Sequence, residues 1–175
     1  MSITPKNNNL ISLRNKFIQK LMLNGKKATA TILFDESLEI LKLKIEKEIL
    51  SPKDKTKVKK TTSFIENLQN KTKLEIFEIA LNRGKPWLSV VSTKRGGKTI
   101  LVPKVLTPNQ QQILVIRWLV QNIKAPKTNT IKSSSAHLAN ELFGCLTNQG
   151  KTMNQRQQLH QTAEANRANI GFVIK

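Results

Sequence analysis

Residues 87–105 read WLSVVSTKRGGKTILVPKV. From Trp87 to Thr93, and again from Thr99 to Val105, the chain is rich in β-branched and large apolar residues, which fit a pleated strand. Between these runs, Lys94-Arg95-Gly96-Gly97-Lys98 supplies two glycines, which take the positive φ angles of a tight reversal without steric cost. The pattern predicts a β-hairpin arm over 87–105, on the order of 20 Å long at about 3.3 Å per residue. Its tip carries three cations and no acid. Pro103 lacks a backbone donor, which makes its side of the second strand an edge. Two strands alone are marginal in water, so the arm must lean on helices or on a partner.

Upstream of the arm the periodicity is helical. Leu10, Leu13, Phe17 and Leu21, widened by Ile18 and Met22, form a first stripe that Asn24-Gly25 ends. Lys26 and Lys27 open a second, longer helix with the stripe Phe34, Leu38, Leu41, Ile45, Ile49. Residues 51–62, SPKDKTKVKKTT, hold five lysines and little to bury. That composition predicts a mobile loop, with a short turn over 64–68. Thr72 and Glu75 make a capping box for a third helix whose Leu74, Phe77 and Leu81 face inward. Gly84 and Pro86 stop it before the hairpin.

Downstream, Thr107-Pro108 with Gln110 starts a fourth helix. Its apolar positions Ile113, Leu114, Ile116, Trp118, Leu119, Val120 and Ile123 form a stripe wide enough for the central core helix. A loop around Pro126 follows. Ser133-Ser134-Ser135 then starts a fifth helix with Leu138, Ala139, Leu142, Cys145 and Leu146 inward, and Gly150 breaks it. The last helix, roughly 153–169, has only Leu159 and a few alanines to bury, while Arg156, His160, Glu164 and Arg167 recur at helical steps. A helix so polar is not held by a core alone and must be completed by something polar. The predicted fold is mostly α: one six-helix domain over 1–175, with a protruding β-hairpin inserted between the third and fourth helices.

The 30 basic residues outnumber 11 acidic ones, a formal charge of +19. From Ile79 to Asn140 no acid occurs, while ten basic residues do. A merely solvated surface mixes both signs, so this acid-free window calls for a polyanionic partner. Residues 1–20 are basic, acid-free and partly amphipathic, as a mitochondrial presequence is. The unbroken apolar pattern to Leu23 favours a disordered basic arm (about 1–10) leading into the first helix. No apolar run approaches a membrane span.

Catalysis finds little support. Cys145 with His137 or His160 could pair as nucleophile and base, but Cys145 falls on an apolar stripe where free cysteine packs. Two histidines and no acidic cluster make no metal site. Gly96-Gly97-Lys98-Thr99 fails as a phosphate loop, because the first glycine of that motif would stand where Ser92 does. No catalytic residue, cofactor or metal is expected. The basic positions fit better. Lys94, Arg95 and Lys98 on a projecting arm suit phosphate contacts. Lys26 and Lys27 oppose the helix dipole unless an anion sits nearby, or are ordinary solvated lysines. Arg117 fits a buried ion pair as well as an RNA ligand. Trp87 reads as an anchor for the hairpin base rather than a stacking platform.

The order of motifs carries a resemblance. Asn24-Gly25-Lys26-Lys27, Glu75-Ile76-Phe77-Glu78 and Gly96-Gly97-Lys98-Thr99-Ile100-Leu101-Val102-Pro103 are followed by Ile116-Arg117-Trp118-Leu119. Leu138-Ala139-Asn140-Glu141-Leu142 and His160…Ala163-Glu164-Ala165-Asn166-Arg167-Ala168 complete the series. Together, over about Lys16 to Ala168, they resemble ribosomal protein seven of the small subunit, a family of helical proteins with a protruding hairpin. The resemblance implies a structural protein that binds the 3′ major domain of small-subunit rRNA and nucleates head assembly. It also implies neighbouring head and platform proteins, exit-site tRNA and the mRNA exit path nearby, no membrane and no homo-oligomer. On matching positions it points to Lys26, Lys27, Lys94, Arg95, Lys98, Arg156, His160, Asn166 and Arg167 as RNA-binding residues. The chain departs from the family in its long Lys-rich segment 51–70, in Asn109–Gln112 where a basic stretch is usual, and in its GFVIK end. That drift, with a composition rich in lysine and asparagine, favours a mitochondrial member over a plastid or bacterial one. The alternative function is an architectural DNA-binding protein that uses the hairpin as a β-ribbon arm.

Overall fold

A computed structural model describes residues 5–50, 67–124 and 131–172. Within them lie α1 (Pro5–Leu21), α2 (Lys27–Leu50), α3 (Lys73–Gly84), β1 (Leu88–Arg95), β2 (Lys98–Val105), α4 (Pro108–Lys124), α5 (Ile131–Thr147) and α6 (Lys151–Ala165). A 3₁₀ segment, Arg167–Phe172, follows α6. The architecture is the expected one, mostly α with a hairpin between the third and fourth helices. The Lys-rich loop 51–62, the loop around Pro126 and the last three residues lie outside the described residues, as do residues 1–4. α1 reaches back to Pro5, so the helix takes in most of the stretch expected as a disordered arm.

Local chemistry explains the boundaries. Asn24 and Gly25 both take positive φ, 49° and 73°, which turns the chain between α1 and α2. At α3 the Glu75 N–H donates to Thr72 Oγ1 at 3.3 Å, and the Thr72 N–H donates to the Glu75 carboxylate at 2.9 Å. That reciprocal pair is the expected capping box. Gly84 does something other than stop the helix. A Cβ there would stand 2.7 Å from Val115 Cγ2, so its bareness lets α3 close on α4.

The core is nucleated by three rings from three helices. Phe77 of α3 meets Phe34 of α2 and Phe17 of α1 edge-on, with centroids 5.0 and 5.2 Å apart, and Phe17 and Phe34 are tilted at 5.5 Å. Such pairs add about 0.5–1.5 kcal/mol each beyond burial. The central helix is α5, however, and not α4. Leu138, Ala139, Leu142 and Cys145 are fully buried, and α5 packs against α2, α3, α4 and α6. α4 has a wide apolar arc but one free side, where Ile113 is 49% exposed.

α6 is held largely by polar contacts. Its N-cap residue Gly150 provides no side-chain cap. Instead Glu141 reaches across from α5 and accepts from both the N–H and the hydroxyl of buried Thr152, at 3.1 and 2.9 Å. Asn122 of α4 donates to the same hydroxyl at 3.0 Å. A carboxylate at a helix N-terminus is favoured by both hydrogen bonding and the dipole.

Candidate nucleic-acid interface

The hairpin pairs in register from Leu88↔Val105 to Arg95↔Lys98, which leaves only Gly96 and Gly97 in the turn. Both have positive φ, 54° and 77°, the two-residue reversal whose twist matches that of the strands. The loop is therefore shorter than the five residues expected, and the cations belong to the strands. Lys94 opposes Thr99 on one face, while Arg95 opposes Lys98 on the other. Cations placed opposite each other repel, and a phosphate between them turns repulsion into attraction. Pro103 pairs with Val90, and counting back from the turn puts it at a position whose N–H would point away from β1, so the ladder loses no bond.

α6 and the 3₁₀ segment cradle the arm's lower half. His160 Nε2 accepts the N–H of Trp87 at 3.1 Å, and the Trp87 carbonyl accepts from the N–H of Leu106 at 3.1 Å. Asn169 donates to the Leu101 carbonyl on the outer edge of β2 at 2.9 Å. The Arg156 guanidinium donates to the Arg83 carbonyl beside the hairpin entry, and that of Arg83 donates to the Leu146 carbonyl. Partial burial, then the charge of Arg156, lowers the pKa of His160, which favours the neutral ring that its acceptor role requires. His160 thus holds the base of the arm, and Arg156 holds the end of α3 from which the arm leaves. Asn166 ends α6, donating to the Thr162 carbonyl at 2.8 Å, and Arg167 beside it is exposed.

The remaining expected positions stand apart. Lys26 and Lys27 are exposed at the α1–α2 turn, with no acid in the first turn of α2. Arg117 is exposed too, which overturns the buried ion pair. It lines a cleft of about 230 Å³ with Lys20, Ile113, Val120 and Gln121. The neighbouring groove, about 340 Å³, is lined by Lys16, Lys20, Gln112 and Ile116 among others, with no acid. Lys16 and Lys20 escaped the sequence reading, because their spacing of four marks a helix face but not that α4 lies beside it. Exposed Lys104 on β2 was missed as well; strand alternation alone could have found it. Trp87 is no anchor by its ring, which is 72% exposed.

Three acids of α2 are engaged by the protein's own helices. Arg14 donates to both oxygens of Asp35 at 3.1 and 3.0 Å, Lys73 pairs with Glu39 at 3.0 Å, and Ser135 donates to Glu36 at 2.9 Å. Among the described residues, no acid lies on the arm or lines the α1–α4 clefts. Burial, reinforced by the Glu141 carboxylate, pushes the Cys145 thiol up to about 12. It is therefore no nucleophile at neutral pH.

Two comparisons bear on this arrangement. The family model described as Ribosomal protein S7p/S5e matches residues 2–167. The chain is also similar to the small ribosomal subunit protein uS7m of Prototheca wickerhamii, 31% identical over 193 residues, covering 90% of this chain and 87% of that protein.

Proposed function

Since this chain belongs to the ribosomal protein S7p/S5e family, and so is a structural component of the small ribosomal subunit, we propose that it binds the 3′ major domain of small-subunit rRNA and nucleates assembly of the head. Similarity to uS7m puts it on the mitochondrial ribosome. Its neighbours there are head and platform proteins, with exit-site tRNA and the mRNA exit path close to the arm. The observation that carries the reading is the hairpin itself, a ribbon pinned at its base by His160 and at mid-strand by Asn169, with Lys94, Arg95 and Lys98 flanking a bare turn.

The test is a titration against a transcript of that rRNA domain, repeated over a salt series. Each phosphate neutralised should contribute about 0.7–0.9 to the slope of log affinity against log salt. Replacing Lys94, Arg95 and Lys98 together with alanine should therefore lower the slope by about 2–3. A flat salt response, or no preference over random RNA, would sink the proposal. Duplex DNA outcompeting the transcript would favour the architectural alternative. In reconstitution, an arm that anchors predicts that the triple variant forms no head. An arm that guides predicts a formed head with impaired exit-site function.

A further inference from the structure

Trp87 is fixed at its backbone and free at its ring. Its N–H and carbonyl are both engaged, by His160 and Leu106, yet the side chain remains 72% exposed. An indole can bury 150 Å² or more, at roughly 25 cal/mol for each Å², so one held out in water is a surface awaiting cover. The register says what kind. Continuing the pairing one step past Leu88↔Val105 sets Trp87 opposite Leu106 and diagonal to Lys104. Diagonal neighbours lie within reach of long side chains. The same ribbon face carries exposed Val91, opposite buried Val102, and then the Arg95–Lys98 pair. The strip is about 26 Å long and lies within the acid-free window. A ring beside a cation matches single-stranded RNA, which offers a flat base next to a phosphate at every step.

We propose that Trp87 is the stacking platform for an unpaired rRNA base, with Lys104 on the adjoining phosphate, so that this face holds one strand at the foot of the arm. This rests on the RNA-binding reading above. An apolar protein partner would instead have to bury Lys104 together with the indole.

The test compares Trp87→Ala, Trp87→Leu, Trp87→Phe and Lys104→Ala in the full chain, against the same transcript over the same salt series. Melting temperatures near wild type verify that each variant folds. Stacking predicts that alanine and leucine both weaken binding about five- to 150-fold, with unchanged salt slope. Phenylalanine should stay within a few-fold of wild type. Lys104→Ala should lower the slope by about 0.7–0.9. In a Trp118→Phe background, RNA should quench the remaining indole fluorescence. Alanine binding as tightly as wild type overturns the proposal. So does leucine matching wild type, which would mark a contact of mere apolar area, as with a protein partner or a second copy. Failure of the wild-type chain to prefer the transcript would be seen before any variant is made, and would fell the RNA reading itself.

Discussion

Two side chains show how much one position decides. His160 holds the arm only as a neutral ring, because Nε2 must accept from the Trp87 N–H. Its folded pKa lies below its ordinary value, so the unfolded chain binds the proton more readily. The contact is therefore at full strength above about pH 6.5 and is lost as pH falls through the folded pKa. In a pH titration followed by NMR, the Trp87 amide should shift with the imidazole at a pH below that of a solvated histidine. His160→Leu should abolish that titration and leave the amide faster to exchange. Gly84 decides a packing distance. Gly84→Ala would force its Cβ to within 2.7 Å of Val115 Cγ2, and overpacking of this kind costs about 1–3 kcal/mol. Chemical denaturation should show that loss, and Val115→Ala should restore part of it. The glycine was legible in the sequence but its reason was not. A stop signal and a close approach are written with the same residue, and only the neighbour tells them apart.

At the scale of the element, α6 depends on a cap from another helix. Glu141→Ala would leave the buried Thr152 N–H and hydroxyl short of an acceptor, at about 1–3 kcal/mol. Because α6 carries His160, hydrogen exchange should quicken at the Trp87 amide as well as along the first turn of α6. Exchange confined to that turn would mean that the arm stands independently of the helix. Local signals recovered the caps at α3 and α4 because donor and acceptor are three residues apart in sequence. The cap of α6 spans eleven positions and an interhelical contact. The sequence holds its trace only as an acid isolated in an acid-poor half. The misjudged rank of α4 has a similar origin. Counting apolar positions measures how much a helix can bury, whereas α5 is central because, among its described side chains, only that of Asn140 is exposed.

For the molecule as a whole, the formal charge of +19 works against compaction in the isolated protein. Raising salt from low ionic strength should therefore raise its melting temperature. A cognate RNA at one hundred times its Kd should add about 2.7 kcal/mol. A melting temperature that falls with salt would mean that pairs such as Arg14–Asp35 outweigh the repulsion. Helices, their order and the insertion of the arm followed from periodicity and turn residues. Which cations gather did not, because α1 and α4 come together only through the core. The turn also came out tighter than its composition implied, and this sets the form of the arm's end. Its leading point is two residues with no side chain at all, and the charged groups sit behind it on either flank. A tip of that form lets bare backbone come closer to a surface than any side chain there would allow. Attraction draws the arm toward any anionic site over about a Debye length, but only a site that admits the bare turn lets its backbone come into contact.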